Sequence, residues 1–243
     1  MHTAEDITAA ILVIGDEILS GRTKDKNIGA IAEHLTSIGI RLKEVRVVAD
    51  DEAEIVASVN ALRARYTYVF TTGGIGPTHD DITADSIAKA LGVAIDIDPR
   101  ARALMQAACD ARGVELTPSR LRMARLPAGS ELVENAISVA PGFMIGNVIV
   151  MAGIPDIMRG MLDSVTPRLK TGAKMLSETI SLDRPESSIA DLYAAHQNRY
   201  PDVAMGSYPQ LRNGKPATDL VLRCADPARL SEACATLKAG LGL

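Results

Sequence analysis

The sequence predicts an α/β fold, a mostly parallel sheet with helices on both faces, followed by a small C-terminal α+β subdomain. Two observations predict it. Apolar runs alternate with segments of helical periodicity three times between residues 9 and 92, and strictly alternating strand and helix segments build parallel sheets. From about residue 171 the texture changes to a second, shorter set of such segments. The expected domains are therefore 1–170 and 171–243.

The first run, AAILVIG (9–15), is apolar and closes on glycine, the pattern of a buried strand. DKNIGAIAEHLTSIG (25–39) places Ile28, Ile31, Leu35 and Ile38 on one helical face and ends in glycine. RLKEVRVVAD (41–50) alternates Leu42, Val45 and Val47 as a second strand. DEAEIVASVNALRAR (51–65) begins acidic and ends basic, the polarity a helix dipole favours. YTYVFTT (66–72) is the third strand and DITADSIAKALG (81–92) the third helix. Helices follow over 100–114 and 156–170, with a short helix and turn over 117–130. Between them, 138–155 reads as apolar strands broken by turns at Pro141-Gly142 and Gly153-Ile154-Pro155. The tail reads as strand 174–183, helix 186–199, strand 217–225 and helix 228–241.

Composition excludes several classes. The 243 residues are 47% hydrophobic, enough for a core, and carry a net charge of −4 with 3% aromatics. With no basic excess and few stacking rings, nucleic acid and anionic membranes are poor partners. Cys109, Cys224 and Cys234 are scattered, the usage of idle thiols in a reducing compartment. The histidines (His2, His34, His79, His196) lack zinc-site spacing. No targeting peptide or membrane span is expected, so the expected location is the cytoplasm.

The stretch TTGGIGPTHDD (71–81) holds the most chemistry. Gly73, Gly74 and Gly76 sit between a strand and an expected helix start near Asp81. Glycines let backbone amides approach a ligand, and a helix start adds free N–H donors and partial positive charge. That combination binds phosphate. The alternative is a tight turn in which Thr78 and Asp81 form a capping arrangement. Asp80 and Asp81 constrain the choice. A carboxylate about 4 Å from a phosphate is repelled by roughly 4 kcal/mol at an effective dielectric near 20. Phosphate and a divalent metal held by Asp81 and Asp80 therefore come together or not at all, and oxygen ligands select Mg²⁺, Mn²⁺ or Ca²⁺.

GDEILSGRTKDKN (15–27) ends another strand at the same sheet edge and faces the same crevice. Asp16 is a further metal candidate and Glu17 a catalytic one, while Arg22, Lys24 and Lys26 offer cations. The alternative is a solvated loop. Arg120, Arg122 and Arg125 are candidates for a phosphate clamp or a solvated basic face. Asp50 and Asp51 face the same edge, with helix capping as their simpler role.

GDEILSG, TTGGIGPTHDDIT, RLPAGS, APGF and GIP occur in the order of the molybdopterin-binding-type domain family. The chain resembles in particular the N-terminal part of the competence/damage-inducible protein A family, to which GDEILSG and GSYPQ (206–210) point. The resemblance implies a three-layer α/β/α domain, often a homo-oligomer. It implies a pocket at Gly73, Gly74, Gly76, Pro77 and Thr78, with Asp81 and Asp80 as functional carboxylates, to which the strand-end reading adds Gly15 and Thr72 in the pocket and Glu17 as a third catalytic carboxylate. It further implies metal-dependent hydrolysis (Mg, Mn or Co) of a nucleotide diphosphate such as ADP-ribose or FAD, or alternatively binding of molybdopterin without turnover. The chain departs from the competence-type pattern at Ile157, where a glutamate is usual, and at Ser138, where a glycine is usual. The amidohydrolase domain of longer competence-type proteins is not among these residues, so its activity is not expected of them.

Overall fold

The computed structural model describes residues 6–138 and 140–243. His2 and the extreme N-terminus, where the targeting reading falls, lie outside the described residues. The chain divides into two compact units, Met1–Gly172 and Ala173–Leu243.

In chain order the first unit runs β1 (Thr8–Ile14), α1 (Asp16–Leu19), α2 (Asn27–Ser37), β2 (Arg41–Val48), α3 (Glu52–Arg63), β3 (Tyr68–Thr72) and α4 (Thr83–Leu91). It continues β4 (Ile95–Ile97), α5 (Pro99–Ala111), α6 (Pro118–Leu121), β5 (Arg125–Pro127), β6 (Glu131–Val133), β7 (Gly142–Ile145), β8 (Val148–Met151) and α7 (Pro155–Val165). The main sheet has the order β2-β1-β3-β8-β7-β6. The β2–β1, β1–β3 and β3–β8 pairings are parallel, while β8–β7 and β7–β6 are antiparallel. The expected mostly parallel α/β sheet is the one observed.

Strand alternation explains the layers. Along β1, Ala9, Ile11 and Val13 face one side and Ala10, Leu12 and Ile14 the other, and all six are buried. A strand covered on both faces reads as a continuous apolar run. One core joins Ile11, Val13 and Phe70 to Ile31, Leu35, Met158 and Leu162 of α2 and α7. The other joins Leu12, Ile14 and Val69 to Ile55, Val59, Ile87 and Met105 of α3, α4 and α5. Each such aliphatic side chain contributes about 1.5–3 kcal/mol on burial, so β1 anchors both layers.

Three expectations change. The helix expected from Asp81 begins at Thr83, because the Asp81 carboxylate is bound within its own loop. The turn expected at Pro141-Gly142 lies at Gly146-Asn147, between paired β7 and β8, and Gly142 belongs to the strand. A Cβ there would meet the Val150 carbonyl oxygen at 2.2 Å, so glycine is required by close packing rather than by a turn. A further small sheet pairs β4 with β5.

The second unit runs β9 (Leu176–Leu182), α8 (Ala190–Arg199), β10 (Ala204–Arg212), β11 (Lys215–Cys224) and α9 (Pro227–Leu241). Its sheet is antiparallel in the order β10-β11-β9. The tail is thus β-α-β-β-α, one strand more than expected, and GSYPQ lies in the additional strand β10. All three cysteines are buried and unpaired. Among the described residues, no helix is long and apolar enough to cross a membrane.

Candidate functional site

β1 pairs with β2 on one side and β3 on the other, so the strand order reverses between β1 and β3. In open α/β sheets a crevice forms beyond the carboxyl ends at such a reversal. Gly15 follows β1 and Gly73 follows β3, so both flank it.

Backbone packing sets the shape of the ridge between them. Gly73 has φ 102°, and a Cβ there would fall 2.0 Å from the Ile14 carbonyl oxygen. Gly74 has φ 64°, and its Cβ would strike the Thr83 hydroxyl at 2.2 Å. Thr83 fastens the ridge to α4: its amide donates to Gly74 O and its hydroxyl to Gly73 O, each at 3.0 Å.

The loop beyond the ridge closes on Asp81. Its carboxylate accepts from the Gly76 amide at 2.6 Å, the Thr78 amide at 2.8 Å and the Thr78 hydroxyl. Gly76 is needed because a Cβ would lie 2.6 Å from that carboxylate. The loop donors expected to meet a phosphate are thus bonded to the loop's own anion. Asp80, next to it, is exposed, as are Pro77 and Thr78 on the rim. Hydrogen-bond donors within the loop and the nearby His79 hold the Asp80 carboxyl below the usual aspartate range.

The charge of Asp80 reaches Asp50. Asp50, at the end of β2, accepts from the Asp16 amide at 3.0 Å and lies beside Gly74. Burial raises its carboxyl above the ordinary aspartate value. The Asp16 amide opposes this, while the negative charges of Asp16, Glu17 and Asp80 add to it. Asp51 takes the capping role, accepting from the Glu54 amide at 3.0 Å. Of the two aspartates proposed as caps, one caps and the other turns into the crevice.

On the opposite side of the ridge lies a cleft of about 210 Å³. Glu17, Lys24, Lys26, Asn27, Thr72, Gly73 and Gly153 line it, with Val13, Ile14, Ile18 and Pro155 as apolar walls. α2 and α7 both begin here without a side-chain cap on the capping residue. In α2, Asp25 accepts the Ile28 amide at 2.8 Å. Glu17 folds back so that its carboxylate would lie 2.5 Å from a Cβ on Gly15. Asn27, which sequence reasoning passed over, is buried and donates to Gly153 O at 2.8 Å. No local signal could have found it, because its partner is 126 residues away.

The arginine clamp forms only in part. Arg122 and Arg125 line one small pocket with Gly74, Gly76 and Asp81, where Arg125 also binds Asp85 through two bonds of 3.0 and 2.7 Å. Arg120 instead donates to Glu115 O, so the third charge does not join them. Ile157 packs against the core on the α7 side.

A parallel sheet with glycine turns and carboxylates at a strand-order reversal defines a class, the doubly wound ligand-binding domain. Residues 10–171 match the family described as probable molybdopterin binding domain, and 174–242 match the middle domain of FAD synthase. The chain belongs to the probable molybdopterin-binding domain family, in its CinA-like branch. A CinA-like protein of Desulfosudis oleivorans is 34% identical over 209 residues, covering 82% of this chain and 51% of that protein. This chain thus spans about half of that relative's length. A protein of Aeropyrum pernix is 34% identical over 211 residues, 83% of this chain and 79% of its own. The crystal structure of CinA from Thermoplasma acidophilum, titled as of unknown function, aligns with a TM-score of 0.61 at 34% identity. It covers 66% of this chain and 96% of its own.

Proposed function

We propose that the first unit binds a nucleotide-type diphosphate in the β1/β3 crevice and hydrolyses its pyrophosphate bond with the aid of a divalent cation. The observation that carries this is Asp50 at the glycine ridge, bonded to the Asp16 amide and within reach of the charges of Asp16, Glu17 and Asp80, with Lys24 and Lys26 lining the adjoining cleft. Carboxylates alone would repel phosphate, and lysines alone would need no carboxylates. Together they suit a phosphate that arrives with a cation. The FAD synthase likeness of residues 174–242 supports a nucleotide ligand.

Such a cation would rest on one or two carboxylates rather than on a preformed cage. Among the described residues no group of three or more His, Cys, Asp or Glu is placed to hold a metal. Mg²⁺ needs fewer protein ligands, since one or two carboxylates plus ligand phosphates and water complete its octahedron. Asp80 and Asp16 would hold it, and Asp81 would shape the loop. A bound divalent cation supplies charge neutralisation at the phosphoryl oxygens and a more acidic water. Lys24, Lys26 and the starts of α2 and α7 bind phosphate oxygens. Asp50, made more basic by burial and its neighbours, takes the proton of the attacking water. The water oxygen bonds to phosphorus as the bridging P–O bond breaks, leaving two monophosphates. The test is AMP release from ADP-ribose or FAD with Mg²⁺, Mn²⁺ or Co²⁺. No AMP with any of the three, from folded protein, overturns hydrolysis.

One observation favours a second reading, binding of molybdopterin or a related phosphorylated ligand without turnover. Ile157 packs on the core where the competence-type pattern has a glutamate. Saturable binding of these ligands without AMP release would select it.

A further inference from the structure

Two residues that line the cleft, Asn27 and Thr72, each carry a buried side-chain oxygen without a hydrogen-bond partner, Asn27 Oδ1 and Thr72 Oγ1. Asn27 is 4% exposed and Thr72 1%. A buried oxygen without a donor is unfavourable, and most such atoms in folded proteins find one. Thr71 Oγ1 is also unpartnered, but adjacent strand residues point to opposite faces, so it faces away from this cleft.

The orientation of Asn27 is determined. Its Nδ2 donates to Gly153 O at 2.8 Å, and a flipped amide would set two oxygens against each other. The free atom is therefore an acceptor. A phosphate oxygen, itself an acceptor, cannot satisfy it. A hydroxyl or an amine can, and the Thr72 hydroxyl can both give and accept.

Size and lining choose between those two. The cleft measures about 210 Å³, below the roughly 300–1,000 Å³ that encloses a whole ligand. It admits one portion of a nucleotide. No aromatic side chain lines it, so nothing stacks a base. A sugar beside its phosphate, with Lys24 and Lys26 receiving the phosphate, matches the lining. Building on the nucleotide reading above, we infer that Asn27 Oδ1 and Thr72 Oγ1 bind the ribose hydroxyls of the ligand and make the site selective for ribonucleotides over deoxyribonucleotides.

Calorimetry with ADP, 2′-deoxy-ADP and 3′-deoxy-ADP in Mg²⁺ tests this on the full chain, with Asn27→Ala and Thr72→Val. The unaltered protein should prefer ADP over at least one deoxy form by about tenfold or more. Each substitution should erase most of that preference while leaving deoxy affinity within about twofold. Thr72→Val removes a hydroxyl that has no partner, so it serves even if Asn27→Ala, which also loses the Gly153 bond, fails to fold. Equal affinity for all three nucleotides, or a preference that survives Thr72→Val and a folded Asn27→Ala, overturns the hydroxyl assignment alone. Failure of all three to bind the unaltered protein overturns the nucleotide reading and this inference with it.

Discussion

The two sides of the Gly73–Gly74 ridge differ in how their polar groups are satisfied. On one side, the 76–81 loop bonds to itself: Asp81 accepts two amides and a hydroxyl from its own segment. On the other, the cleft keeps Asn27 Oδ1 and Thr72 Oγ1 without partners. The first arrangement is satisfied from within the loop, and the second leaves two acceptors unmet. The 76–81 half of the stretch is held by its own bonds, while Thr72 at its start belongs with Asn27 to the side that carries the unmet hydrogen bonds.

The largest expected effect comes from removing the ridge itself. Gly73→Ala places a methyl group against the Ile14 carbonyl at a positive φ, which should destabilise the first unit by more than about 4 kcal/mol. Loss of soluble protein, or a collapsed urea midpoint, is the expected result. A variant melting within about 2 °C of the unaltered protein would refute the packing account.

Next is the self-bonded side. Asp81→Ala frees the Gly76 and Thr78 donors and should lower stability by about 1–3 kcal/mol, or roughly 3–10 °C of melting temperature. Inorganic phosphate should then restore part of the loss by occupying the vacated anion position. An unchanged melting curve would show that the loop does not depend on its internal anion.

Asp50→Asn should have the opposite sign. Its folded-state pKa lies above the ordinary aspartate value of 3.8, so the fold favours the protonated form. The penalty for the ionised form is absent below about pH 3.8, develops as pH rises through the folded value, and is complete above it. Asp50→Asn should therefore raise the melting temperature by a few degrees at most at pH 7, with the gain fading under acid. It should also abolish any AMP release. A melting temperature that falls at pH 7 would contradict the crowding of these carboxylates.

The smallest effect belongs to the unsatisfied side. Thr72→Val should leave the free protein within about 0.5 kcal/mol of the original. Differential scanning fluorimetry should show a flat result without ligand and a smaller ligand-induced shift with it.

Much of this was legible in the residues. Buried strands appear as apolar runs because both faces of β1 and β3 are covered. β10 does not stand out in the sequence because it lies at a sheet edge, is nowhere fully buried and contains Pro209. Asp50 and Asp51 are adjacent and chemically identical, and only the fold shows that Asp51 caps α3 while Asp50 meets the Asp16 amide. The 71–81 glycines pointed to close backbone approach, which is observed. The Thr78–Asp81 pairing of the tight-turn alternative is observed, whereas the added bond from the Gly76 amide depended on the loop's path.

The ridge has a consequence for how such a domain can change. Gly73 and Gly74 present only main chain to the crevice, and neither site has room for a side chain. Sequence drift therefore has no means of retuning this part of the crevice surface. Any shift in what the crevice accepts must come from the walls, at positions such as Lys24, Lys26 and Asn27, where side chains exist to be exchanged.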